Sequence, residues 1–473
     1  MNDYATFLAK KSQVGDQSGF KPVWLPDFLF DFQRSLVEWS IRKGRAAIFA
    51  DCGLGKTPMM LVWAENVVRK TNGNVLILAP LAVSYQICAE GEKFGIEVRR
   101  SIDGKPSGKI TVTNYERLGK FDEAYFEGVV CDEASIIKHW TGKTQKLVTR
   151  FLSKKPYRLL CTATPAPNDF VEMGTASEAL GNLTYSEMLA TFFRQISDDE
   201  KKKRAQPGDI VQSKRLSWRV IQSFGQWAIK AHAFEPFWKW VSSWARACRK
   251  PSDVGPFDDS KFVLPPLDRH DHIVTPRVPP DGFLFTLPAF GLNQERAERR
   301  RTLEERTELV VDLAKQSPLS VVWCHLNIEG DRLEKAIPGA VQVKGSQSMD
   351  EKEELILSFL KGEVRTLVTK AKIAGLGLNM QHCAHVITFV DHSYEKFYQS
   401  VRRCWRFGQK NPVRLDVIAT EGEINVKRNM DRKEQLSSQM FDSIIQFMNH
   451  AQNVKANRAT VTPEVPAWLH ASN

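Results

Sequence analysis

The chain has 473 residues, room for about two to four domains, and its 42% hydrophobic and 26% charged content is that of a folded globular protein rather than a disordered or fibrous one. An excess of 66 Lys and Arg over 55 Asp and Glu, a net charge of +11, favours polyanionic partners, because phosphate backbones are bound largely through electrostatics and counterion release. Eight cysteines without a C-x-x-C pair argue against a zinc ribbon or a disulfide framework, and no apolar run approaches the roughly 18 residues of a membrane span, so a soluble protein of a reducing, intracellular compartment is expected.

In chain order, residues 1–27 read as an N-terminal extension and 28–183 as a first α/β unit. Within it Arg45–Ala50, Asn74–Ala79, Lys109–Thr113, Gly128–Cys131 and Tyr157–Cys161 are short apolar strands, and Pro58–Val68 is a helix. Continuous apolar strands alternating with helices predict βαβ units and a parallel sheet. Residues 184–317 read as a helical insertion and linker. Its DDEKKKR run is expected in an exposed loop. The aromatic residues between Phe234 and Ala245 recur at helical spacing, either as a face packed on its neighbours or as a stacking platform for bases. The Pro- and Asp-rich stretch Pro251–Pro280 reads as a linker, and Ala297–Lys315 as a charged helix. A second α/β unit spans 318–420, with strands at Leu319–Cys324, Val341–Lys344, Val364–Thr369, Ala384–Val390 and Val413–Ile418 and a helix at Asp350–Leu360. Residues 421–473 read as one helix and a polar tail. The fold class is therefore α/β, with two tandem lobes of parallel sheet flanked by helices and an insertion between them.

The segment AIFADCGLGKT, ending at Thr57, places a glycine-bearing turn between a buried strand and a helix. Gly53, Leu54 and Gly55 can turn their N–H groups toward phosphates, Lys56 can reach the β- and γ-phosphates, and Thr57 can hold Mg²⁺. Ala50 stands where the first glycine of G-x-x-x-x-G-K-[ST] is usual. Downstream, FEGVVCDEAS delivers Asp132 and Glu133 at the C-terminal end of a strand, the edge at which parallel sheets bind ligands. Asp132 suits Mg²⁺ and Glu133 suits a water to be polarised. Cys161–Pro165 (CTATP) supplies hydroxyls that could couple the nucleotide site to a second site. In the second unit, TKAKIAGLGLNM puts Gly377 in a turn open to a phosphate backbone. Further on, QSVRRCWRFGQ runs from Gln399 to Gln409, and Arg403 and Arg406, three apart, would share a helix face. Such arginines are either a solvated surface or a source of charge for a γ-phosphate on a facing lobe.

These segments, in this order, resemble the motifs of helicase superfamily two, in its Swi/Snf-like branch. Gln33 in FDFQRSLVEW matches the adenine-reading glutamine, DCGLGKT the first motif, LILAPLAVSYQ motif Ia and TVTNYERL motif Ib. DEASIIK resembles DEAH-x-I-K, CTATP motif III, AGLGLN motif V and Gln399–Gln409 motif VI. The resemblance runs from about Phe30 to Gln409. Two residues depart from it: Ser135 replaces the histidine of DEAH, and Arg402 replaces an aspartate of motif VI, which adds positive charge beside the arginine fingers.

The resemblance implies two RecA-like lobes with ATP and Mg²⁺ between them. Lys56, Asp132, Glu133, Arg403 and Arg406 would be catalytic. Gln33, Gly53–Thr57, Gly377 and Gln399 would hold nucleotide, with Thr57 and Asp132 at the metal. It implies a DNA-dependent ATPase, helicase or translocase, with double-stranded DNA favoured and RNA left open. The chain would be monomeric and cytoplasmic in a bacterium or phage-infected host. The alternatives are an ATP-gated clamp that binds without cycling, and the motor subunit of a replication, recombination, restriction or defence complex with a protein partner.

Overall fold

The computed structural model describes residues 18–80, 83–197, 226–278, 288–289, 291–374 and 379–459. The described strands are β1 (Arg45–Ala50), β2 (Asn74–Ala79), β3 (Val98–Arg100), β4 (Ile110–Asn114), β5 (Phe126–Asp132), β6 (Tyr157–Cys161), β7 (Phe193–Gln195), β8 (Trp227–Ile229), β9 (Ala245–Cys248), β10 (Leu267–Val274), β11 (Ser320–Trp323), β12 (Ala340–Gln342), β13 (Thr366–Thr369), β14 (His385–Phe389) and β15 (Val413–Thr420). A seven-stranded sheet has the order β3-β4-β2-β5-β6-β1-β9 and a six-stranded sheet the order β10-β15-β14-β11-β13-β12. All pairings within these two sheets are parallel. The molecule is thus two tandem α/β lobes, each a parallel sheet flanked by helices. The central strands are apolar throughout because helices cover both faces, as in Val75–Ala79 and Val129–Cys131, which are fully buried.

Each sheet gains a strand that the sequence pattern did not announce. The insertion ends in β9, which pairs with β1 at the edge of the first sheet. The stretch read as a linker contains β10, which pairs with β15 over its whole length. Strand β10 is LDRHDHIV with alternating exposure, a polar edge strand rather than an apolar core strand. Its Arg269 pairs with Asp271, Asp431 and Glu434. The charged run 198–204 lies outside the described residues.

Five helices position the site: α1 (Asp31–Lys43), α2 (Lys56–Thr71), α3 (Phe234–Trp244), α4 (Tyr394–Val401) and α5 (Ile424–Ala459). Helix α3 buries Phe237, Trp238, Val241 and Trp244 in the first lobe's core, so its aromatic face is packing and not a base platform. Helix α5 has 36 residues and would reach about 54 Å at 1.5 Å per residue. Its Val426 and Met430 lie in the second lobe's core, whereas Leu436, Met440, Phe441 and Ile444 lie in the first lobe's. One amphipathic helix is therefore built into both lobes.

Candidate nucleotide site between the lobes

Because both sheets are parallel, their C-terminal edges gather the turns that follow β1, β5 and β6. The turn after β1 needs backbone that only glycine adopts freely: Gly53 has φ +91° and Gly55 φ +74°. Both are also tightly approached. A Cβ at Gly55 would lie 2.3 Å from Gln33 Nε2, and one at Gly53 would lie 2.9 Å from Phe407 of the second lobe. Gln33, on α1, is buried and donates from Nε2 to the Leu54 carbonyl at 2.9 Å while its Oε1 accepts from Phe30 N at 3.1 Å. It therefore clamps the loop directly.

Lys56 opens α2 and Thr57 follows in its first turn. Lys56 Nζ donates to the carbonyls of Ala50 at 2.9 Å and Asp51 at 3.3 Å. Burial alone would lower the Lys56 ammonium, but the negative charge of Cys52, Glu133, Asp132 and Asp51 outweighs it and holds the pKa above that of an ordinary lysine. Asp132 ends β5 and is buried. Burial first, and then the adjacent Glu133, push its pKa up to about 7 against the pull of Lys56. Its Oδ1 accepts from Glu133 N at 3.0 Å, and its carbonyl accepts from the Tyr115 hydroxyl at 2.5 Å. Glu133 itself sits in the left-handed region at φ +48°, an uncommon backbone for a side chain of its size and one that collects at functional turns. This conformation brings its Oε2 to 3.4 Å from the Thr162 hydroxyl of CTATP, which donates to it. The acidic turn and the CTATP loop are thus joined at Glu133.

The second lobe meets this edge with α4 and the turn after it. The segment is helical only as far as Val401 and continues as turns, so Arg403 and Arg406 are not on a common helix face as their spacing predicted. Arg406 is half-buried. Burial lowers its pKa, with Cys52 opposing. Its Nε has no hydrogen-bond partner among the described residues. Gln399 is half-buried on α4. Arg403 has intermediate exposure in the turn. Gly377 lies outside the described residues.

The two departures also find partners. Arg402 does not add free charge near the arginines: its Nη2 donates to Asp51 Oδ2 at 2.7 Å and to the Cys52 carbonyl at 2.9 Å. Ser135 turns away from the CTATP loop and donates to Glu395 Oε1 of α4 at 2.5 Å. Asp51, Tyr398, Glu395 and Phe407 were not singled out by the sequence. Each matters only through a partner on the other lobe, which no local pattern reveals.

Residues 307–408 match the helicase conserved C-terminal domain. The protein of Bacillus subtilis (strain 168) named "Putative ATP-dependent helicase/translocase YwqA" is 28% identical over 173 residues, 33% of this chain and 18% of that protein. The chain thus spans less than a fifth of the length of the curated relative it matches, 18%. Among solved structures, the Sulfolobus solfataricus SWI2/SNF2 ATPase core in complex with dsDNA aligns over 89% of this chain and 95% of that one, at 16% identity and a TM-score of 0.39. The matched region ends at Gly408, next to Phe407, which meets Gly53 of the first lobe. Over residues 307–408 the chain is thus similar to the conserved C-terminal domain of helicases.

Proposed function

We propose that this chain is an ATP-driven nucleic-acid motor whose substrate track is double-stranded DNA. The observation that carries the reading is the docking of Arg402 and Phe407 from one lobe on the Asp51–Lys56 turn of the other. A triphosphate on that turn would lie between Lys56 and the carboxylates on one side and the arginines on the other. Closure of the lobes then completes the site, and opening dismantles it. In this reading Lys56 leaves the loop carbonyls to meet the β- and γ-phosphates, Glu133 orients the attacking water, and Arg406, with Arg403, faces the charge that develops on the γ-phosphate. The donor set suits Mg²⁺: Asp132 and Glu133 are adjacent carboxylates with Lys56 as counter-charge, so a divalent cation held by Asp132 and the Thr57 hydroxyl would relieve their repulsion. Bound there, it would supply charge neutralisation of the phosphates.

The net charge of +11 supports a polyanionic track read through its backbone, with little sequence preference. Among the described residues no helix is long and apolar enough to cross a membrane. We take the motor to be cytoplasmic and to act as a monomer on its own or with a protein partner. Duplex DNA is expected to raise the ATPase rate, and rising salt to remove the stimulation, in a steady-state assay with duplex DNA, single-stranded DNA and RNA in parallel. A rate indifferent to all three would remove the motor reading. ATP bound without turnover would favour the clamp.

The raised pKa of Asp132 sets a pH dependence. A carboxyl that holds its proton to about 7 must lose it to hold a cation, so affinity for nucleotide with Mg²⁺ should strengthen as pH rises through 7. The sign is that of proton release on binding, and the expected change is about tenfold between pH 6 and pH 8. Calorimetry in two buffers of different ionisation enthalpy should register that release at pH 7. Equal affinity at both ends with no proton released would contradict the assignment of Asp132.

A further inference from the structure

Both positions at which the chain departs from its branch, Ser135 and Arg402, bridge the lobes. At one end of α4, Glu395 receives the Ser135 hydroxyl at 2.5 Å and forms an ion pair with Lys138. At the other end, Arg402 holds Asp51 at 2.7 Å, and the Tyr398 hydroxyl donates to the second oxygen of the same carboxylate. The pairs are largely shielded from water: the Lys138 and Glu395 side chains are each 14% exposed and that of Arg402 is 4% exposed.

The arrangement has a direction. Helix α4 presents an acid at its start and a base just past its end, and lobe 1 presents the opposite charges in matching order. Sliding α4 along lobe 1 would bring Glu395 toward Asp51 and strand Lys138, and like charges brought together in a shielded contact cost more than a solvated pair gains. Such a pattern selects one register, as charged positions select the register of paired helices.

We infer that Ser135–Glu395–Lys138 and Arg402–Asp51–Tyr398 form a two-point clasp that fixes the register of the closed lobes. Glu395 and Arg402 are positioning residues. Their effect reaches chemistry through the short turn that carries Arg406, four residues beyond Arg402, and Phe407, which is seated on Gly53. A misregister of even about 1 Å at such a group can cost about a hundredfold in rate. Only this consequence for turnover rests on the motor reading; the clasp itself is a statement about lobe geometry.

The test measures lobe separation in the nucleotide-free, full-length protein by X-ray scattering and by a donor–acceptor pair with one dye on each lobe. Arg402→Asp and Glu395→Ala should each widen the separation, and the double variant should widen it further. The swap Asp51→Arg with Arg402→Asp should close it again. Where turnover is measurable, Arg402→Asp should lower kcat by about ten- to a hundredfold with a smaller change in KM, and Arg402→Lys should recover most of it. Thermal melting identifies a variant that fails to fold, and Glu395→Ala then decides. Wild-type separation in folded Arg402→Asp and Glu395→Ala would overturn the clasp. Separations that respond in a protein without ATP turnover would uphold the clasp and sink the motor reading.

Discussion

Arg406→Ala is expected to lower ATP turnover by about 10³- to 10⁵-fold, the range seen when an arginine facing the γ-phosphate is lost, while equilibrium binding of nucleotide changes little. The reasoning is energetic. Arg406 is held half-buried although burial disfavours its charge, and its Nε has no hydrogen-bond partner among the described residues. A cation held at a cost and left short of hydrogen bonds contributes little to the fold. Its removal should therefore leave the melting temperature unchanged or slightly raised, where loss of a structural ion pair would lower it. Lysine should not rescue turnover, because a point charge does not reproduce the planar fork of guanidinium. Single-turnover kinetics with a parallel binding titration separates the two effects. Near-normal kcat in the folded variant would remove Arg406 from the site and leave Arg403 to be tested the same way.

Lys56→Ala should abolish measurable hydrolysis, a loss of at least about a thousandfold, and should weaken nucleotide binding as well, in contrast with Arg406→Ala. In the free protein the Lys56 ammonium is the counter-charge shared by Asp51, Asp132 and Glu133. Without it the Asp132 carboxyl, already pushed up to about 7, should climb further. A cation would then have to displace a more tightly held proton. The fold should survive, because α2 is anchored by Met59, Met60, Leu61 and Trp63, all fully buried, and not by Lys56. Circular dichroism and a melting curve check the fold, and phosphate release checks the chemistry. A folded variant that hydrolyses ATP at the wild-type rate would end the assignment.

Several features were legible without coordinates because they are local. Tyr157–Cys161 and Arg45–Ala50 read as strands from a few consecutive apolar residues and proved to be strands with those bounds. The glycines of the phosphate loop announced a positive φ, and Gly53 and Gly55 adopt it. Strands β9 and β10 were not legible: ARAC is too short to carry a pattern, and LDRHDHIV is polar because an edge strand is covered on one side only. The shared-face reading of Arg403 and Arg406 failed because the helix stops at Val401, where tertiary docking of the turn on Gly53 overrides a weak local preference.

Residue order alone committed the chain to two parallel α/β units, to a glycine-bearing turn and an acidic pair at strand ends, and to an arginine-rich segment closing the second unit, since each follows from neighbours a few positions apart. Folding in three dimensions settled what the order left open. It set Asp51 against Arg402 and Ser135 against Glu395, drew a strand from the insertion and another from the linker into the two sheets, and ran one C-terminal helix through both cores. Such contacts join residues hundreds of positions apart, and their energies come from burial and charge pairing that exist only once the lobes have packed together.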